Sequence, residues 1–405
     1  MTQPWRWTTF DALRERNFRW LWVGQLASSA TFQMGSVAQG WLVYQLTGSA
    51  FALGWVGSGW SISTLLLSLY GGALADRAEK RDLLIWARLA MALNTLAIAL
   101  LISTGAIQIW HLVVNSLLSG VCFSFMMPAG QAIVSELVDR EALLNAVSLN
   151  SVGMGLMGIF SASLAGYLVE VVGVAGAYYA MVGFYVIALF SLTKLPRTGR
   201  GERSPVSVWA DLREGVRYIR SHSVIHALLG LVLARVLFAM PYRTFMPKFA
   251  QEVMGMDASG LGVLMAAPGV GALISSLATA SLGDFRGKGK LLLASGVIMG
   301  GSLFLFANTT SLALVLLFLG LVGAAGNACM VANNTLIQAN SHDRLRGRVM
   351  SVYMMMWGLM PLGTLPAGAI ADRMGVPFVV GLEGGLLALI FLGVGWLWPR
   401  MRRLE

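Results

Sequence analysis

Charge is what this sequence lacks. Of its 405 residues only 12% are Asp, Glu, Lys or Arg, while 57% are hydrophobic. An ordinary soluble domain carries about 25% charged residues. Folding cannot hide the shortfall, because soluble proteins of this size keep most polar groups at the surface. A soluble enzyme, a secreted domain and a disordered chain are therefore excluded. Cysteine is nearly absent too: Cys122 and Cys329 both lie in apolar stretches, which argues against a disulfide framework. A Walker loop, a Cys/His metal spacing and a nucleophile–base arrangement are all missing, so no enzyme, metal or cofactor is expected. Gly262, Gly269 and Gly271 sit in an apolar stretch where small residues permit close packing, and do not form a phosphate loop. No cleavable signal is expected, since the first apolar stretch is too long and lacks a small-residue cleavage site.

Long charge-free runs are what the sequence has instead. Residues 20–75, 89–135 and 291–342 contain no Asp, Glu, Lys or Arg. A spanning helix needs about 20 apolar residues, so each run holds two spans and a tight turn. A β-barrel would alternate polar and apolar residues over about ten-residue segments, so helices are expected. The expected spans are 20–45, 51–74, 83–103, 108–132, 146–169, 174–194, 223–247, 258–282, 290–308, 312–337, 348–371 and 376–398. The fold class expected is an all-α integral membrane protein of twelve transmembrane helices.

Of the 29 Lys and Arg, all but Arg235, Arg243, Lys248 and Arg373 fall on one side of this arrangement. That side is cytoplasmic by the positive-inside rule, with both termini inside. The net charge of +10 then reflects topology and anionic membrane lipid, and no nucleic-acid partner is implied. Arg88 is expected to anchor the inner end of the third span by snorkelling.

The halves repeat loosely. Gly72-Ala-Leu-Ala-Asp76-Arg77-Ala-Glu-Lys80-Arg81 after the second span parallels Ser281-Leu-Gly-Asp284-Phe-Arg286-Gly-Lys288-Gly-Lys290 after the eighth. Asp139-Arg140 parallels Asp343-Arg344, and Gly166 and Gly173 parallel Gly368 and Gly375. This predicts two parallel six-helix halves, 1–194 and 223–405. They are joined by a linker at 195–222. Within the linker, Val208, Leu212, Val216 and Ile219 share one helical face and Arg213, Arg217 and Arg220 another, the pattern of an amphipathic helix on the inner leaflet.

These features resemble the major facilitator superfamily of transporters. Gly72-x-Leu-Ala-Asp76-Arg77-x-x-Lys80-Arg81 is similar to the family's signature loop between helices two and three, with Glu79 at the usual second glycine. Asn334-Thr-Leu-Ile-Gln338 through Ser351, together with Leu46-Thr-Gly-Ser49 and Ala267-Pro-Gly-Val-Gly271, resembles the branch holding enterobactin-exporter-like and multidrug efflux proteins. Two features depart from the proton-coupled drug antiporters: Ser116 stands where they carry an arginine, and the helix-five stretch 161–166 lacks their proline. The resemblance implies a secondary transporter of the cell membrane that exports amphipathic small organic molecules by alternating access, with a proton as the expected coupling ion. An uptake carrier and a non-transporting scaffold or sensor remain alternatives. Substrate, direction, coupling ion and oligomeric state are not legible.

Four groups of residues are candidates for function. Gly72, Asp76, Arg77, Lys80, Arg81, Asp139 and Asp284 form an expected conformational latch. In it Asp76 accepts from a helix N-terminus and Arg77 pairs with Glu136 or Asp139; plain solvated charge is the alternative. Polar stripes are expected to line a substrate cavity or to bond helices together: Gln25, Ser29, Gln33 and Ser36; His111, Asn115, Ser119 and Cys122; Asn327, Asn334 and Gln338. Arg235 at membrane depth, with Tyr242 two turns on along the same face, is expected either to attract an anionic substrate group or to pair with Glu383, as Arg243 also could. Glu383 and His111 are the titratable candidates for coupling. Trp55, Trp60, Tyr353, Met354, Met355, Met356, Trp357 and Met360 offer an adaptable apolar lining or ordinary packing.

Overall fold

The computed structural model describes residues 11–138, 140–197, 208–281, 286–342 and 345–404, with the side chains of 11, 68–77, 135, 140–142, 144, 208–212 and 280 outside the description. Among the described residues all regular structure is helical. The helices are α1 (Arg16–Thr47), α2 (Ala50–Arg77), α3 (Lys80–Ser103), α4 (Ile109–Leu137), α5 (Arg140–Thr193), α6 (Val208–Ser221), α7 (Ser223–Phe238) and α8 (Pro241–Glu252). They continue with α9 (Ala258–Ser281), α10 (Lys288–Ala307), α11 (Leu312–Asn340), α12 (Arg346–Trp357), α13 (Pro361–Met374), α14 (Val376–Leu397) and α15 (Pro399–Arg402).

Among the described residues, ten stretches are long and apolar enough to cross a membrane. Most agree with the expected spans, running a few residues further at polar ends. The count is lower than twelve for two physical reasons. α1 spans 32 residues but is not among the ten, because Gln25, Ser28, Ser29, Gln33, Ser36 and Gln39 dilute its hydropathy. Asn145–Thr193 forms one stretch of 49 residues, interrupted only at Gly173, whose φ of 76° and ψ of 172° are non-helical. That backbone region is open essentially to glycine alone, so one residue turns the chain between two helices. Gly375, between α13 and α14, does the same with φ 87° and ψ 152°.

Two spans are broken by proline. Pro241 and Pro361 stand at the first positions of α8 and α13. Proline lacks the N–H for the helical ladder and its ring crowds the carbonyl four residues back, while Met240 and Met360 before the two prolines keep helical backbone angles. Ser223–Glu252 and Arg346–Met374 therefore each cross as two helices.

Helices pack through small residues. A Cβ on Gly166 of α5 would meet the Ala258 carbonyl and, at 2.9 Å, the Cα of Gly262 in α9. α2 and α13 approach closely where Gly368 faces Ala50 and Phe51 and Gly54 faces Thr364, and Gly358, between α12 and α13, abuts Leu65. We call the side where α1 begins the terminal face and the side where it ends the far face. The amphipathic α6 lies at the terminal face with Arg213, Arg217 and Arg220 exposed. It also packs on protein: Ile219 is buried, Glu214 pairs with Arg348 of α12, and the Tyr218 hydroxyl accepts from the His342 N–H at 3.1 Å.

Candidate functional site

Asp372, at the end of α13, joins three distant segments of the chain. Its carboxylate accepts from the Ser49 hydroxyl at 2.5 Å, the Ala50 N–H at 2.6 Å and the Phe51 N–H at 3.1 Å. These are the free donors at the start of α2, where backbone N–H groups and the helix dipole favour an anion. Lys248 of α8 completes the cluster, donating to Asp372 at 2.8 Å and to the Gly48 carbonyl at 3.0 Å. Its side chain is only 9% exposed. The Tyr44 hydroxyl donates to Glu252 at 2.9 Å. Among the described residues, the hydrogen bonds that tie the chain before Thr193 to the chain after Ser223 gather here, at the far face.

The sequence marks Gly48 and Ser49 only as part of a resemblance and Lys248 only as a cation off the basic side, and does not single out Asp372, though a signal exists. Gly72-Ala-Leu-Ala-Asp76-Arg77 and Gly368-Ala-Ile-Ala-Asp372-Arg373 differ in one aliphatic residue. One copy ends α2 at the terminal face and the other ends α13 at the far face. Of the expected latch, Asp139 and Asp284 lie outside the described residues, as do the side chains of Gly72, Asp76 and Arg77. Lys80 takes Glu136 as its ion-pair partner, one of the two acids expected for Arg77. Arg81 donates to the Leu192 and Thr193 carbonyls at 3.1 and 3.2 Å, closing the end of α5. Both contacts stay within the first 194 residues.

The second constellation sits at the two helix breaks. Arg235, six residues before Pro241, is 4% exposed. Its guanidinium lies 5.1 Å from the ring of Trp357, the last residue of α12. Arg235 has no hydrogen-bond acceptor or carboxylate partner among the described residues. The expected ion pair from Arg235 or Arg243 to Glu383 is not formed. Glu383 is buried at 7% exposure, with Oε2 lacking a hydrogen-bond partner. The break at Ala239–Met240 also separates Tyr242 from the face of Arg235: Tyr242 is buried on α8, with its ring 6.5 Å from Phe306.

The polar stripes divide between bonding and lining. Asn115 donates to Gln39 at 2.8 Å and accepts from Asn94 at 2.6 Å, bonding α1, α3 and α4 together. Gln25 donates to the Gly130 carbonyl at 3.2 Å and Gln33 to that of Gly158 at 3.5 Å. Ser119 donates to the Asn115 carbonyl one turn back. His111 departs from its expected place: its Nδ1 accepts the Gln108 N–H at 3.0 Å in a capping box at the start of α4. Ser29 and Asn334 are half-buried, and Gln338 is exposed and donates to Asn334 at 2.6 Å. Asn327 Nδ2 is buried without a partner. Arg88 does not snorkel: it is 2% exposed and donates to the Ala188 carbonyl at 3.2 Å. An aromatic wall joins α1, α2 and α4, with Phe32 and Phe123 stacked at 5.9 Å and Trp60 at 5.3 Å from Phe123.

A bundle of apolar helices, two of them proline-broken around a buried cation, is an arrangement of membrane transport, and comparison with known proteins decides the family. The transmembrane secretion effector family of the major facilitator superfamily matches residues 7–404. The chain belongs to that family. This transporter is 25% identical to the staphyloferrin A transporter of Staphylococcus aureus, over 87% of this chain and 88% of the relative. It is 25% identical to the multidrug efflux pump Tap of Mycolicibacterium fortuitum, over 91% and 92%. It is 26% identical to the enterobactin exporter EntS of Citrobacter koseri, over 91% and 85%. Its fold resembles the crystal structure of a nucleoside transporter NupG variant, with a TM-score of 0.79 at 12% identity, covering 95% of this chain and 100% of that one. It is a multi-pass membrane transporter of small molecules, and not an enzyme.

Proposed function

We propose that this transporter exports amphipathic small organic molecules by alternating access, with two six-helix halves, 1–194 and 223–405, rocking about a site between them. Counting α1 as a crossing, and Asn145–Thr193 as two, brings the ten stretches to twelve. The matching turns at Gly173 and Gly375 support the repeat. Both termini are then cytoplasmic, the far face is external, and the membrane is the cell membrane.

The observation that carries the mechanism is the repeated hexapeptide. Asp372 holds the start of α2 across the halves at the far face. α2 and the broken span α12–α13 run antiparallel and side by side. Asp76, at the opposite end of α2, is therefore the group that meets the start of α12 when the terminal face closes. Each copy anchors one of two states, and the described far-face contacts belong to the externally closed one. The substrate site is proposed where the broken helices meet, with Arg235 and Trp357 on one side and Phe32, Trp60 and Phe123 on the other. Interrupted spans place backbone polar groups and a charge at membrane depth. Arg235, with no anionic partner among the described residues, suits an anionic group on the substrate. For coupling, His111 is committed to its helix start, which leaves buried Glu383 as the proton site.

Cells expressing the transporter are expected to hold less of an anionic lipophilic dye than control cells. Asp76→Asn and a protonophore should each abolish the difference. A rise in cellular dye on expression would instead indicate uptake. No dependence on Asp76 or on the gradient would sink the mechanism.

A further inference from the structure

Between α10 and α14, at the terminal face, the outer wall of the bundle opens into a groove of about 540 Å³. Leu293, Val297, Phe391, Leu392 and Trp396 line it, and Lys290 and Arg402 stand at its mouth. Leu392 is 53% exposed and Trp396 76%, so none of the described elements covers this strip. In a membrane its solvent is acyl chain. Lys290 to Ile298 covers about 12 Å of helix at about 1.5 Å per residue, deep enough to take the upper part of one chain.

The mouth is built for an anion. Lys290 is exposed and pairs with no carboxylate among the described residues. Arg402 donates from Nε to the Gly395 carbonyl, which orients its guanidinium at the end of α14. α10 begins with no side-chain cap and no acid in its first turn, so its dipole adds to the field. The turn that follows α15 folds back onto this start, with the Gly289 N–H donating to the Leu404 carbonyl at 3.0 Å. The described residues 286–290 and 399–404 bring together Arg286, Lys288, Lys290, Arg400, Arg402 and Arg403. Cations at headgroup depth above an apolar slot between membrane helices match an anionic phospholipid in both charge and shape.

We propose that this groove binds an anionic phospholipid, with its phosphodiester between Lys290 and Arg402 and one acyl chain along Val297, Ile298 and Leu392. The site lies on the outside of the bundle, so it does not depend on the transport mechanism above.

Native mass spectrometry of the purified transporter with added phosphatidylglycerol, phosphatidylcholine or glycerol 3-phosphate tests this. Phosphatidylglycerol should bind more tightly than phosphatidylcholine. Lys290→Gln should weaken it about fivefold, and adding Arg402→Gln about 25-fold, at about one unit of headgroup attraction per cation. Ala294→Trp, which fills the groove, should weaken both lipids, and glycerol 3-phosphate should not compete. The combined Arg213→Gln, Arg217→Gln, Arg220→Gln variant of α6 should bind phosphatidylglycerol like wild type. Lys290 is exposed, so Lys290→Gln folds normally and carries the test even if Arg402→Gln loosens the end of α14. Equal binding of the two lipids, no effect of Lys290→Gln, an equal loss in the α6 variant or displacement by glycerol 3-phosphate would each overturn the proposal.

Discussion

Asp372→Ala removes the anion that four donors share at the far face. Charge-assisted hydrogen bonds are each worth about 1.5–3 kcal/mol in mutational series. Here they converge on one carboxylate that is 26% exposed, and solvent screening cuts the sum. Breaking a buried pair while its partner stays buried costs about 3–5 kcal/mol. For this partly exposed clamp we take the lower end, about 3 kcal/mol, which shifts a two-state equilibrium roughly a hundredfold. The assay is a distance measurement between spin labels at Ala106→Cys and Thr310→Cys, in loops of opposite halves at the far face. Cys122 and Cys329, both buried, are first replaced by serine. Wild type should show mainly the short separation, and Asp372→Ala a large population at longer distance. Lys248→Met should act the same way, and the double variant should add little, because both residues serve one cluster. An unchanged distance distribution in Asp372→Ala would refute the assignment of this cluster as the clamp.

Arg235→Gln should reduce transport of an anionic dye by about tenfold or more, the worth of a charge-assisted contact. Arg235→Lys should recover only part, because it keeps the charge but not the planar stack on Trp357; equal loss for a cationic dye would argue against charge recognition. Gly271→Ala should lower the melting temperature, at about 1–3 kcal/mol for overpacking, since its Cβ would meet the Gly320 carbonyl and, at 3.0 Å, the Ala324 nitrogen. Gly183→Ala, with nothing within 4 Å, should be neutral or stabilising. Asp257, just before α9, accepts from the Gly260 N–H and then the Ser259 hydroxyl, which pull its carboxyl below the ordinary 3.8. A depressed pKa contributes stability that is present above the unfolded value and lost as pH falls through the folded one. The thermal advantage of wild type over Asp257→Ala, about 1 kcal/mol or less for such a cap, should therefore hold at neutral pH and fade below about pH 3.8; an advantage independent of pH would show that the carboxylate charge is not its source.

The sequence by itself determined the class of this protein and most of its helices, because lipid leaves a chain few choices. Backbone groups with no water must bond within a helix, so long charge-free runs report spans almost directly. Arg235 and Glu383 were legible for the same reason: a charge in an apolar run is costly wherever its side chain points. Pairing was not legible. Arg235 meets Trp357 and leaves Glu383 apart, because two proline breaks reset the helix faces from which the depths were compared. His111 looked like one end of a polar stripe, yet a local hydrogen bond to Gln108 claims it. Lys248 and Asp372 fall 124 residues apart, and neither is unusual alone. Only the tertiary structure places the end of α13 against the start of α2, turning a short repeat into a clamp. A helix terminus acts as a charge only toward what stands in front of it, and periodicity along one strand of sequence carries no record of that neighbour.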